Sequence, residues 1–168
     1  IYVTHDQSEA LVMSDEIIVM SKGKIEQRGG PVEIYSRPVN EYVSNFIGVA
    51  NLMKAKVLEV SEPGIGKVEV AQDGQSVQLP CRLGPGIEAG NDAVLSVRPE
   101  NVHAVSEDGA GTVTGECTNA IFLGSYVDCR VKWGDFEWKV IAHPRNHPRT
   151  GEKVHLRFDA EHTLAVQP

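Results

Sequence analysis

Between Tyr126 and Val140 the chain alternates so strictly that one local structure fits it. Val127, Cys129, Val131 and Trp133 share one face of an extended segment, and Asp128, Arg130 and Lys132 share the other. Gly134-Asp135 supplies a two-residue turn, and Phe136, Trp138 and Val140 alternate back. A period of two lines one face of a pleated strand, whereas a helix would spread the same residues around its axis. The pattern recurs: Lys67-Val68-Glu69-Val70 and Ser76-Val77-Gln78-Leu79 flank Asp73-Gly74, and Val154, Leu156 and Phe158 form a further apolar face. Asp-Gly between alternating runs is a strong hairpin signal. With 16 Gly and 9 Pro in 168 residues, turns are frequent and strands short. From about residue 50 onward this predicts an antiparallel β barrel or sandwich. The pieces around 54–105 and 111–167 are candidates for two related β units.

Residues 1–49 follow a different pattern. Ile1-Tyr2-Val3 reads as the end of a buried strand, Thr4-His5-Asp6-Gln7 as a polar break, and Asp6 or Ser8 as the cap of a helix with Glu9 in its first turn. Ala10, Leu11 and Met13 form the apolar side of that helix. Glu16 to Met20 and Ile25 to Arg28 make a hairpin around Ser21-Lys22-Gly23-Lys24. Gly30-Pro31 opens a short helix, and Arg37-Pro38 closes it and opens another. In that second helix Val39, Tyr42, Val43, Phe46 and Ile47 recur at helical spacing and predict one buried stripe, with Gly48 in the left-handed conformation past its end. The fold class expected is therefore mainly β, an OB-like antiparallel domain preceded by a small α/β piece, with the boundary between residues 49 and 50.

Charge and composition narrow the function. A formal charge of −7 argues against a broad nucleic-acid surface, which needs clustered Lys and Arg. No apolar run reaches the ~20 residues of a membrane-spanning helix. Cys81, Cys117 and Cys129 show no CxxC spacing and read as buried thiols rather than a metal or redox centre. His143-Pro144-Arg145-Asn146-His147-Pro148-Arg149 reads as an extended basic loop, because each His precedes a Pro that disfavours helix; an oxyanion contact by Arg145 and Arg149 is the alternative. In Arg98-Pro99-Glu100 the Pro ends a strand and Arg98 is expected to pair with a nearby carboxylate. Trp133, Phe136 and Trp138 fit core packing better than base stacking. His103, His155 and His162 read as surface or edge positions.

His5 lies at a strand-to-helix junction, where anions such as phosphate are favoured. An imidazole there either donates to a phosphate oxygen or bonds a loop carbonyl. At this point residues 2–51 carry a resemblance. Thr4-His5-Asp6-Gln7, Ser14-Asp15 with Ile17 to Met20, then Gly23, Ile25 and Gln27, and finally Pro31, Glu33-Ile34-Tyr35, Pro38, Val43, Phe46-Ile47-Gly48 and Asn51 resemble the end of the ATPase domain in ATP-binding-cassette importers for polyamines, ferric iron, sulfate and sugars. Glu16 departs from the Arg usual in that family and reads as a tolerated surface change. Ser96-Val97-Arg98-Pro99-Glu100 and Phe122-Leu123-Gly124-Ser125 are similar to landmarks of the TOBE regulatory domain that follows.

The resemblance implies that His5 is the switch histidine, contacting the γ-phosphate of ATP in the whole protein, with Asp6 and Gln7 in its motif. The phosphate loop, the acidic metal and catalytic residues and the signature motif lie upstream in that family, and the 168 residues contain no GxxxxGK[ST]. The chain is thus expected to be a C-terminal fragment without a cofactor of its own and without ATP hydrolysis. ATP and Mg²⁺ belong to the full-length parent. The implied partners are a second copy, in a homodimer through the β domain, and integral membrane permease subunits; nucleic acid is not among them. The implied location is cytoplasmic, peripheral on the inner face of the membrane. Three functions remain: the regulatory end of an importer ATPase, a small-ligand (oxyanion) sensing β module, and an OB-type nucleic-acid binder.

Overall fold

Asp73 and Gly74 both adopt positive φ, +46° and +75°, which matches the twist of two strands joined by a two-residue turn. They join β4 (Ile65–Gln72) to β5 (Gln75–Leu83), with Val70 opposite Val77 and Val68 opposite Leu79. This hairpin belongs to a five-stranded closed barrel in a computed structural model that describes residues 1–62 and 64–168. The long strand β3 (Asn51–Glu62) pairs with both β4 and β6 (Asp92–Val97). The last strand, β12 (Thr163–Val166), lies antiparallel to β6 and parallel to β5, and so closes the ring.

Between β6 and β12 the chain builds a second sheet. Its strands are β7 (Val102–Val105), β8 (Thr112–Phe122), β9 (Val127–Trp133), β10 (Phe136–Ala142) and β11 (Lys153–Phe158), in the order β10-β9-β8-β11-β7. The hairpin expected over 126–140 forms in the register its alternation requires, with Trp133 opposite Phe136 and Val131 opposite Trp138. One core serves both sheets: Val57, Val68, Leu79 and Leu95 of the barrel join Val131, Trp138, Leu156 and Phe158 of the second sheet. Trp138 is wholly buried, with Phe136 and Phe158 rings 4.9 and 4.8 Å away. The molecule is thus mainly β and OB-like, as expected. The two β units do not divide at 105–111, however. Residues 102–105 belong to the second sheet and 163–166 to the first barrel.

The N-terminal piece contains α1 (Gln7–Met13), the hairpin β1 (Ile17–Ser21) and β2 (Lys24–Gly29), α2 (Pro31–Ser36) and α3 (Glu41–Phe46). Its small core is Ile17, Val19, Ile34, Val43 and Ile47. Glu16 pairs with Arg28 across the hairpin at 2.8 Å. Four local expectations are corrected. Ile1-Tyr2-Val3 is exposed and forms no strand, because no neighbouring strand takes up its backbone groups among the described residues. Met13 points outward, and only Ala10 and Leu11 pack inward. The third helix starts at Glu41 rather than Pro38, because the Asn40 side chain accepts from the Val43 N–H at 2.9 Å. The stripe is also narrower than its spacing suggests: Val43 and Ile47 are buried, whereas Tyr42 and Phe46 stack on each other outside, 40% and 37% exposed.

All three cysteines are free and buried. Burial pushes the Cys81 thiol up to about 12 and is the main cause that lifts Cys129 to about 11. Cys117 is raised as well, again chiefly by burial. An unfolded thiol ionises near pH ~8.5, while these stay protonated in the fold. Their contribution to stability is therefore full below that pH and is lost as pH climbs through the folded values. The expected outcome is a urea midpoint that falls between pH 9 and 11. In addition, no thiol should react with Ellman's reagent at pH 8 until the chain unfolds. Rapid labelling of the native protein would contradict the burial.

Candidate functional site

The loop around His5 is fixed by short polar contacts. The Asp6 carboxylate accepts from the Ser8 and Glu9 N–H groups at 2.8 and 3.1 Å, and so caps α1. The Thr4 hydroxyl takes the Asp6 N–H at 2.9 Å and donates to Glu9 Oε2 at 2.8 Å. The Tyr2 hydroxyl donates to the same carboxylate oxygen at 3.1 Å. His5 itself is exposed, and its ring makes no hydrogen bond among the described residues. Gln7 reaches farthest: its Oε1 accepts the Gly48 N–H at 2.7 Å.

Gly48 opens onto the most buried cation of the molecule. Arg98 follows β6 and is 6% exposed. Its Nη1 donates to the Ser44 and Val49 carbonyls at 3.2 Å each, and its Nη2 to the Tyr35 carbonyl at 3.0 Å. The guanidinium also lies over the Tyr35 ring, 4.2 Å from its centroid. The expected partner carboxylate is not in contact. Glu100 instead accepts from the Tyr35 hydroxyl at 2.6 Å. Burial, then the bond to Glu100, pushes the Tyr35 phenol up to about 12. Burial lowers Arg98 from its ordinary value, with Tyr35 and Glu100 opposing. Beside it, the buried Ser44 and Ser96 hydroxyls are 2.6 Å apart. Carbonyls near helix ends have no intrahelical partner, and a guanidinium with five donors suits several at once. Pro99 begins a 3-10 turn, Pro99–Asn101, which ends β6 as expected.

The remaining constellations separate. In the 143–149 loop His143 bridges to Asn146, and His147 Nδ1 lies 3.0 Å from the Pro148 carbonyl. Arg145 and Arg149 are exposed. Among the described residues no group of three or more His, Cys, Asp and Glu could hold a metal. Trp133, Phe136 and Trp138 pack on the core and are not available for stacking. His103 and His162 are exposed.

His155 is not a bare edge position. It is half-buried, its Nδ1 is 2.8 Å from the Thr114 hydroxyl, and Asp108 Oδ1 lies 3.7 Å away. The Thr112 hydroxyl donates to Asp108 at 2.6 Å and is the first cause holding that carboxyl below its usual range. Asp108 also lines a cleft of about 790 Å³ with Asn146, His147, Lys153 and Arg157. The alternation of Val154, Leu156 and Phe158 had marked 155 and 157 as outward, but the β8 neighbours of His155 emerge only from the strand register.

Comparison with known proteins places these features. Residues 95–166 match the TOBE domain family. The chain is 35% identical over 156 residues to a spermidine/putrescine import ATP-binding protein PotA of Clostridium acetobutylicum, covering 93% of this chain and 41% of that protein. A PotA of Frankia alni is 36% identical over 179 residues, covering 99% and 38%. The chain thus spans about two-fifths of the length of these curated relatives. Among solved structures, the cytoplasmic molybdate-binding protein ModG with molybdate bound superposes with a TM-score of 0.56 at 14% identity, over 70% of this chain and 96% of that one. These findings agree with the resemblance to the C-terminal, TOBE-bearing part of an importer ATPase and with an OB-like fold.

Gly48 has φ +75°, and a Cβ there would meet the Tyr35 ring at 3.0 Å. Gly48→Ala is therefore expected to cost on the order of 1–3 kcal/mol in urea unfolding. An unchanged midpoint would mean that the ring and guanidinium are not held where they lie.

Proposed function

We propose that this chain, which carries a TOBE domain and is similar along nearly all its length to importer ATP-binding proteins, is the regulatory and assembly end of such an ATPase. The supporting observation is extent: one similarity takes in 99% of this chain, from the His5 loop through the exit helices to the β region. In this reading residues 1–49 close the ATPase domain and residues 50–168 regulate it. His5 is the switch histidine of the whole protein, where ATP and Mg²⁺ supply the phosphoryl chemistry. Phosphoryl transfer depends on many groups that position and neutralise the phosphates, so one imidazole is insufficient. The β region joins two copies in a C2 dimer, the commonest symmetric arrangement. The whole protein works beneath membrane permease subunits on the cytoplasmic face.

The cleft beside Asp108 favours a second reading, a sensor for small oxyanions. Asn146, His147, Lys153 and Arg157 line it and can donate to an anion, with the carboxylates of Glu107, Asp108 and Glu152 opposing them on the same cleft. The OB-like neighbour that binds molybdate lends this reading fold-level support alone.

Three outcomes are expected. Mg-ATP leaves the melting temperature of this chain unchanged, and a nucleotide-dependent rise would overturn the assignment of inactivity. Sedimentation equilibrium gives the mass of a dimer; a monomer at all accessible concentrations would count against the assembly role. In the whole protein, His5→Ala abolishes ATP turnover but keeps nucleotide binding. Calorimetric titration with molybdate, sulfate, phosphate and spermidine decides the sensor reading: heat that vanishes in Lys153→Ala supports it, and no heat removes it.

A further inference from the structure

We propose that Gln7, Gly48, Tyr35 and Arg98 form a single latch, through which the position of the His5 loop and the position of the β barrel become one variable. Among the described residues, the bond from Gly48 N–H to Gln7 Oε1 is the one hydrogen bond by which residues 1–8 reach past α1. The next carbonyl along the chain, on Val49, is one of the three held by Arg98. The other two, on Tyr35 and Ser44, belong to α2 and α3. A single guanidinium rooted at the end of barrel strand β6 therefore grips both helices and the linker, and the linker grips the loop.

The geometry leaves this junction little freedom. The Arg98 guanidinium lies over the Tyr35 ring, and both crowd Gly48: a Cβ there would be 3.0 Å from the ring and 3.6 Å from Arg98 Nη1. The Tyr35 hydroxyl is tied to Glu100, on the 3-10 turn that leads from β6 into β7. The buried Ser44 and Ser96 hydroxyls make a parallel link from α3 to β6. A second tether, from the Glu41 N–H to the Gln167 carbonyl, holds α3 to the barrel but does not touch the loop. Displacing the loop without disturbing Arg98 thus requires breaking the Gln7 bond. Closely packed groups of this kind shift between discrete arrangements rather than bending smoothly. The latch rests on these contacts and not on His5 meeting a nucleotide.

Amide hydrogen exchange on the intact chain, with a double-mutant cycle, tests this. Gln7→Ala is expected to speed exchange at Gly48 and over residues 5–13 by about tenfold, with β3–β6 unchanged. Arg98→Lys, which keeps the charge but cannot reach three carbonyls, is expected to speed the same amides even though Arg98 bonds none of them. The double variant should match the faster single variant, because the two sites act as one. Additive effects, or an Arg98→Lys variant that leaves residues 5–13 unaltered, would overturn the latch. If Arg98→Lys fails to fold, the side-chain Nε–H resonance of Arg98 serves in its place: it moves in Gln7→Ala if the latch exists and stays put if it does not. Failure of the ATPase reading would leave these exchange rates untouched, so the two proposals fall separately.

Discussion

A buried guanidinium, with no carboxylate against it among the described residues, joins the two parts of this protein. Taking a cation out of water is costly unless its donors are satisfied. Arg98 meets that condition with backbone carbonyls and an aromatic face. The arrangement is more demanding than an ion pair, since three carbonyls from two helices and a linker must converge within hydrogen-bond reach. It ties α2 and α3, each only six residues long, to the end of barrel strand β6. Helices so short have little stability of their own, and their ends are held from outside.

What the sequence made legible follows from how local each signal is. The 127–140 hairpin needed only its alternation and the Gly134 turn, so both strands and their inward faces were readable. A cap at Asp6 or Ser8 and the left-handed Gly48 were readable for the same reason, and the structure selects Asp6. Where two signals competed, the more local one won: the Asn40 side chain set the start of α3, against the Pro38 boundary. Periodicity predicted a stripe in α3, but could not tell that Ser44 would turn inward to Ser96 and Tyr42 outward. The partners of Arg98 left no trace, because main-chain carbonyls belong to every residue alike. The Thr114 contact of His155 needed a strand register, and the closure of the barrel by β12 needed a parallel pairing to β5 across about half of the chain.

The exposed apolar residues are not scattered at random. Ile18, Met20 and Ile25 lie on the outer side of the β1–β2 hairpin, and Tyr42 and Phe46 stack nearby on α3. Ile121, Phe122 and Leu123 crowd the end of β8. A two-stranded sheet covers one face with its own helices and has nothing left for the other. The α/β piece therefore presents a half-covered surface, while the β region buries its apolar residues between two sheets.

The position of β12 carries a consequence for how the chain reaches this state. The first barrel has four of its strands by residue 97, yet it stays an open sheet with two free edges until residues 163–166 arrive. Everything from 102 to 158 is in effect a long insertion between neighbouring staves. During synthesis β8, β9 and β10 can pair at once as consecutive hairpins and β11 then closes onto β8 and β7, while the first barrel waits for a still more distant piece. Pairings of such large sequence separation are slow to find. Ribosome-bound chains from which residue 158, but not residue 163, has emerged should therefore display a completed later half beside an unfinished earlier one.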